Sequence, residues 1–442
     1  MKEKIVILGN GFDLRHFLPT SYNHLISILI EIDKFPENID LVNFSTLFDG
    51  DFKERNDLFY KDIKEFYNTD DIIFDKSKIL SINERLKENS WFKYLKSVDE
   101  NKIETWIDLE NEISKVLEII VDFFVSFEQK KEILHKNQRQ FSEYLLQHTN
   151  YDNFFNNNVQ KNVILNFSLF ETLSNLNQFI KINHKYFLII ENKIQYIREK
   201  KFLDSLYNSL EEFIGIFNDY IIYVVDKFYS NFKIEKRANF ISIGNQILFD
   251  KVKNIYSFNY THTYNKFYKS NPIEILKKTE DDNYVITRLE QIHGYAIENW
   301  GNKLDNLKMV LGVSEINITL KSHKLYQFTK YFQKLHKNTD YLFLDSIIKD
   351  LKISHKGQQD YTLYFWGHSL DSSDLEYIRE VFEVVSKSDN EIKIFYHSIS
   401  AKADQLKNLL NIIDKNIIEN LMKHKKLQFL EATNENLFKE LS

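Results

Sequence analysis

Short unbroken apolar runs mark the two ends of this chain, and a three-to-four-residue apolar period fills its middle. Ile5-Val6-Ile7-Leu8 stops at Gly9, Asn254-Ile255-Tyr256-Ser257-Phe258 at Asn259, Lys308-Met309-Val310-Leu311 at Gly312, and the run 361–366 at Gly367. Runs at 392–396 and 427–430 complete the set. Apolar runs of this length, bounded by turn residues, predict strands buried on both faces. Helical patterns at 373–387 and 401–423 separate the later ones. Alternation of this kind predicts βαβ units and a mostly parallel sheet, hence an α/β fold.

The middle reads differently. Leu206, Leu210, Phe213, Phe217 and Tyr220 share one helical face, as do Trp106, Leu109, Ile113, Val116 and Ile120. The stretch 186–197 reads as a third helical piece. Between Gly50 and Gly244 there is one glycine and no proline, and few turns are expected where both are scarce. The expected organisation is therefore an α/β domain from 1–50 and 239–442, interrupted by an all-helical insertion at 51–238. The Asn-rich stretch 152–162 reads as a loop inside that insertion.

Composition narrows the chemistry. The chain has 442 residues and 0 Cys, which excludes disulfides, thiolate metal sites and a cysteine nucleophile. A reducing, cytoplasmic setting is expected. A net charge of −6 supplies no overall basic field, so nucleic acid is not an expected partner. The most apolar inner stretch, 116–127, is broken by Glu118 and Asp122. It falls short of the ~20 apolar residues of a membrane span, so no membrane partner is expected.

Polar motifs sit where the predicted strands end, which is where open α/β sheets bind ligands. Gly9-Asn10-Gly11-Phe12-Asp13 follows the first strand. Its glycines suit either close approach to a phosphate or a tight turn, and Asp13 suits a ligand or a helix cap. Asn259 offers an amide donor and acceptor to a ribose hydroxyl or a water, or else forms a turn. His293, before Gly294, has the residue type of a general base or of a buried structural imidazole. Gly367, Ser369 and Asp374 follow the fourth strand and suit a phosphate or ribose, with helix capping the alternative for Asp374. Asp108, Glu110 and Glu112 suit either a metal-binding carboxylate group or a solvated helix face. No sequence motif calls for a metal.

The strings Ile7-Leu8-Gly9-Asn10-Gly11-Phe12-Asp13-Leu14, Leu18-Pro19-Thr20-Ser21-Tyr22, Trp106-Ile107-Asp108-Leu109-Glu110, Phe258-Asn259-Tyr260-Thr261, His293-Gly294 and Gly367-His368-Ser369-Leu370 occur in that order. The chain thereby resembles the AbiH family of bacteriophage abortive-infection proteins. The same order is similar, more distantly, to sirtuin-like NAD-binding domains. That resemblance implies a Rossmann-like sheet, with NAD as substrate rather than as a bound cofactor. It implies that Gly9, Asn10, Gly11, Asp13, Gly367, Ser369 and Asp374 line the dinucleotide, and that Asn259 and His293 are catalytic. The implied activity is an antiphage effector that hydrolyses the nicotinamide–ribose bond and depletes NAD. Phe12-Asp13 departs from the small third residue usual in that glycine turn. Two alternatives stand beside this reading. One is a nucleotide sensor without turnover, whose helical insertion engages a phage or host protein. The other is a magnesium-dependent nuclease using Asp108, Glu110 and Glu112. On any of these readings a phage or host protein trigger and a homo-oligomer are open.

Overall fold

A computed structural model describes residues 2–36, 38–98, 105–136, 138–140, 143–147, 154–172, 179–243, 246–269, 287–301, 303–339 and 360–442. Six strands form the main sheet: β1 (Glu3–Leu8), β2 (Val252–Ser257), β3 (Arg288–Gln291), β4 (Tyr361–Trp366), β5 (Glu391–Tyr396) and β6 (Leu427–Glu431). All are paired in parallel, in the order β3-β2-β1-β4-β5-β6. The protein is thus α/β with a parallel sheet, as its alternating runs predict. From β1 the chain builds outward in one direction through β2 and β3, and in the other through β4 to β6. The order therefore reverses between β1 and β4.

Those two strands match residue for residue, from Glu3 beside Tyr361 to Leu8 beside Trp366. Side chains alternate across the pleat, so β1 feeds two cores. Ile5 and Ile7 join Leu363, Phe365, Ile378 and Phe382 on one face. Val6 and Leu8 join Phe12, Ile255, Trp366 and Phe438 on the other. Burial of both faces is why these strands read as continuous apolar runs rather than alternating ones.

Several expectations fail for physical reasons. The 308–311 run is not a strand, although Met309 and Val310 are buried. Its polar backbone is satisfied elsewhere: Val310 N donates to His293 O, and Val310 O accepts from the Tyr260 hydroxyl. The third strand is instead Arg288–Gln291, an edge strand with one neighbour. The piece 186–197 is not helical but mainly a β-hairpin, with Phe187–Ile190 antiparallel to Lys193–Ile197. Its Asn-rich neighbour contains a helix, Asn158–Asn166, capped by the Asn157 side chain on Gln160 N. Residues 152 and 153 of that expected loop lie outside the described residues.

The chain divides into two compact units. The first comprises Met1–Leu80, Phe217–Val310 and Gln333–Ser442 and holds the sheet. The second comprises Ser81–Ile216 and Leu311–Phe332 and contains the 31-residue helix Trp106–Lys136. The boundaries drawn from the sequence at 51 and 238 differ from this division. Scarcity of glycine and proline reports helicity, not which core a helix joins, and the helices at 51–66 and 226–230 belong to the sheet-bearing unit. Among the described residues no helix is long and apolar enough to cross a membrane.

Candidate functional site

The glycine turn lies directly against the end of β4. Gly9 N donates to Trp366 O at 3.0 Å and Gly11 N to Gly367 O at 2.9 Å. A Cβ on Gly9 would stand 2.6 Å from Gly367 O, and one on Gly11 would stand 2.7 Å from Gly367 Cα. Gly367 has φ +70°, and its own Cβ would meet Phe12 N at 2.2 Å. Close approach of two backbones thus explains all three glycines. The Gly9 and Gly11 amides are thereby committed to β4. Asn10, half-buried, opens the short helix α1 (Asn10–Arg15).

Asp13 does not cap α1, whose N-cap is Gly9. Its side chain is turned inward and is 1% exposed. Oδ2 accepts from Thr261 Oγ1 at 2.7 Å, Thr263 Oγ1 donates to Thr261 Oγ1, and the Tyr229 hydroxyl lies 2.8 Å from Thr263 Oγ1. Oδ1 is buried with no hydrogen-bond partner. Burial pushes the carboxyl up to about 6, against the nearby polar groups of Thr263, Thr261 and Asn259 and the charge of His262, which favour its ionised form.

Asn259, at the end of β2, is buried. Its Nδ2 donates to Gly9 O at 3.1 Å, tying the two strand ends together. Gln291, at the end of β3, donates from Nε2 to the carbonyls of Asn259 and Thr261. Leu8, Asp13, Ser257, Asn259, His262 and Gln291 help line a cavity that encloses about 220 Å3 including its open mouth.

His293 belongs to a second cluster. Extended backbone alternates its side chains, and Phe258, next to Asn259, is in the other core. Phe258 meets His293 edge-on at 5.0 Å and His368 edge-on at 4.7 Å. Between the imidazoles sits the Asp374 carboxylate, with Oδ1 3.2 Å from His293 Nε2 and Oδ2 3.4 Å from His368 Nε2. All three side chains are buried. Asp374 occupies the N-cap position of α2 (Leu375–Ser386), but its side chain makes no cap bond. The capping explanation therefore falls. His368 Nδ1 accepts from Leu370 N at 3.0 Å, so its proton is fixed on Nε2, facing Asp374.

The four separated stretches meet at the strand ends, but Asn259 and His293 fall in two clusters. Ser369 belongs to neither: the residue is exposed, and its carbonyl accepts from Asn408 Nδ2. Sequence reasoning missed Thr261, Gln291 and His368 as site residues. Thr261 and His368 stood inside motifs already singled out, whereas Gln291 carried no signal beyond its place before His293.

The three carboxylates of the second unit do not converge. Asp108 accepts from Thr105 N at the start of its helix. Glu112 accepts from the Tyr94 hydroxyl and from Lys115. Glu110 pairs with Lys330 at 2.7 Å, both largely buried. Each has a separate structural partner, and among the described residues no group of three or more His, Asp or Glu is placed to hold a metal. Glu110→Ala should lower the thermal unfolding midpoint in differential scanning fluorimetry by leaving Lys330 without this partner. A variant with an unchanged midpoint but lost activity would give this carboxylate a functional role.

Buried Asp, Asn and His side chains thus gather at the carboxyl ends of a parallel sheet, the edge at which open α/β sheets bind ligands. Over residues 5–396 the chain matches the family described as Bacteriophage abortive infection AbiH, and it belongs to that family. The matched span runs from β1 through β5 and takes in both clusters. No curated protein and no solved structure matches the chain.

Proposed function

We propose that this AbiH protein defends against phage by binding NAD at the carboxyl ends of β1, β2 and β4 and hydrolysing its nicotinamide–ribose bond. The supporting observation is the strand order β3-β2-β1-β4-β5-β6, which is the doubly wound, Rossmann-like order of dinucleotide-binding sheets. The Gly9 and Gly367 turns lie where that order reverses, and Asn259 ends the neighbouring β2.

In this reading Asn259 positions the ribose or a water, held against the glycine turn by its bond to Gly9 O. His293, oriented by Asp374, accepts a proton from a ribose hydroxyl as positive charge builds on the sugar. Asn10, Gly11 and Ser369 border the dinucleotide. The Gly9 and Gly11 amides are engaged, so phosphate charge falls to cations nearby. Buried Lys334 reaches the Tyr377 hydroxyl, and the Tyr377 ring packs on Phe258 beside His293. The cavity beside Asp13 has room for about one water, far below the ~300–1,000 Å3 of sites for drug-sized ligands, so in this reading the strand ends open to admit NAD.

Purified wild-type protein should release nicotinamide from NAD, and His293→Ala should lose ~10²–10⁴-fold in rate. Equal rates would remove the imidazole from the chemistry. Calorimetric binding of ADP-ribose without nicotinamide release would favour a nucleotide sensor instead.

A further inference from the structure

We propose that Asp13 is the general base of this site, taking the proton of a water held between Asp13, Asn259 and Gln291 as that water attacks the ribose. The proposal rests on the NAD-cleavage reading and adds a second proton acceptor to it: His293 takes the ribose hydroxyl proton and returns it as the product forms, and Asp13 takes the proton of the water. In the step, the water oxygen forms a bond to the anomeric carbon. The bond from that carbon to the pyridinium nitrogen breaks, and its electron pair leaves with neutral nicotinamide. The water's proton goes to Asp13 Oδ1 and is released to solvent afterwards.

Three observations converge on this carboxylate. It is buried yet only half satisfied, with Oδ2 anchored by Thr261 and Oδ1 without a hydrogen-bond partner. Most buried polar atoms are hydrogen-bonded, so an unbonded carboxylate oxygen that also borders a cavity calls for an explanation. Asp13 also lines the cavity with Asn259, Gln291, Ser257 and His262, and a buried water needs two to four polar partners of this kind. Finally, burial brings the carboxyl up to about 6, where a base works near neutral pH.

The groups facing it fit the role. The Tyr229 and Tyr67 hydroxyls are driven well above their ordinary range by burial first and the Asp13 charge second, and they stay protonated. His16, one turn along α1, is driven down to about 3 by burial and is neutral. Arg15 on α1 is partly engaged by Asn434 and Ala432 O. His262 lies 3.9 Å from Asp226 and lines the same cavity.

The test is the pH dependence of nicotinamide release. Wild-type kcat/KM should rise through about pH 6 and level off above it. Asp13→Asn should lose ~10²–10⁴-fold and flatten that rise. Thr261→Val removes a hydrogen bond to the charged form and should move the midpoint upward, a change that mere loss of packing would not cause. Circular dichroism verifies that each variant is folded. A wild type that releases no nicotinamide overturns the cleavage reading and this proposal with it. A wild type that does, matched in rate and profile by folded Asp13→Asn, overturns the proposal alone.

Discussion

Gly294→Ala is expected to destabilise the protein several-fold more than Gly301→Ala, although both glycines have positive φ, +78° and +68°. An alanine in that region costs ~1–2 kcal/mol from its Cβ alone, and at Gly301 that is the whole effect, because nothing lies within 4 Å of the added carbon. At Gly294 the added carbon would stand 1.7 Å from Lys308 O. Backbone must move, and the segment that moves is 308–310, where Met309 and Val310 are buried and Val310 N is bonded to His293 O. The loss should therefore reach roughly 4 kcal/mol or more, a large share of the 5–15 kcal/mol typical of a whole protein. The imidazole should leave Asp374 at the same time. Urea unfolding of the two variants side by side provides the measurement. Equal losses would mean that the 308–310 segment yields freely, and that His293 is not held by this contact.

The same contact explains why 308–310 was misread. An apolar run reports burial, not the partner of its amide groups, and this run buries its side chains while its backbone bonds to loop and side-chain groups. Conversely, β3 carries Arg288, Glu290 and Gln291 because an edge strand with one neighbour needs no continuous apolar run. The hairpin at 187–197 escaped notice because its turn is Glu191-Asn192, both at positive φ. That geometry is the usual one for a tight hairpin, but glycine, its common signal, is missing. By contrast β1, β2, β4, β5 and β6 were legible because two-sided burial leaves an uninterrupted apolar signature.

For the site, motif position was legible and side-chain direction was not. Asp13 and Asp374 each stand where a helix cap is an ordinary explanation, yet both turn inward, toward Thr261 and toward two imidazoles respectively. Only the fold brings residues 13 and 261, or 293 and 374, together. Likewise Gly9 and Gly11 look like a phosphate turn, but it is Gly367, more than 350 positions away in sequence, that requires them. A glycine motif states that something approaches closely; here the approaching group is the backbone of β4.

Asp13→Asn should also stabilise the folded protein at neutral pH. The native carboxyl ionises at about 6 rather than at the ordinary 3.8 because burial penalises its charge. That difference corresponds to roughly 3 kcal/mol, an order-of-magnitude figure. Below pH 4 the folded and unfolded chains both carry the proton, and no penalty applies. Between pH 4 and pH 6 the folded state holds more protons than the unfolded one, so stability falls as pH rises. Above pH 6 the full penalty is present and constant. Asparagine keeps the shape without the charge, so the variant's advantage should be near zero at pH 4, grow through pH 5, and be complete by pH 7. Chemical denaturation of both proteins across that range isolates this carboxyl, since every other titrating group is common to the pair. An advantage that does not change with pH would show that Asp13 ionises as freely in the folded chain as in the unfolded one, and that its burial imposes no electrostatic cost. An advantage that grows as described would mean that the fold carries an unfavourable charge at its strand ends, a cost that packing alone gives no reason to retain and that a proton-accepting role accounts for.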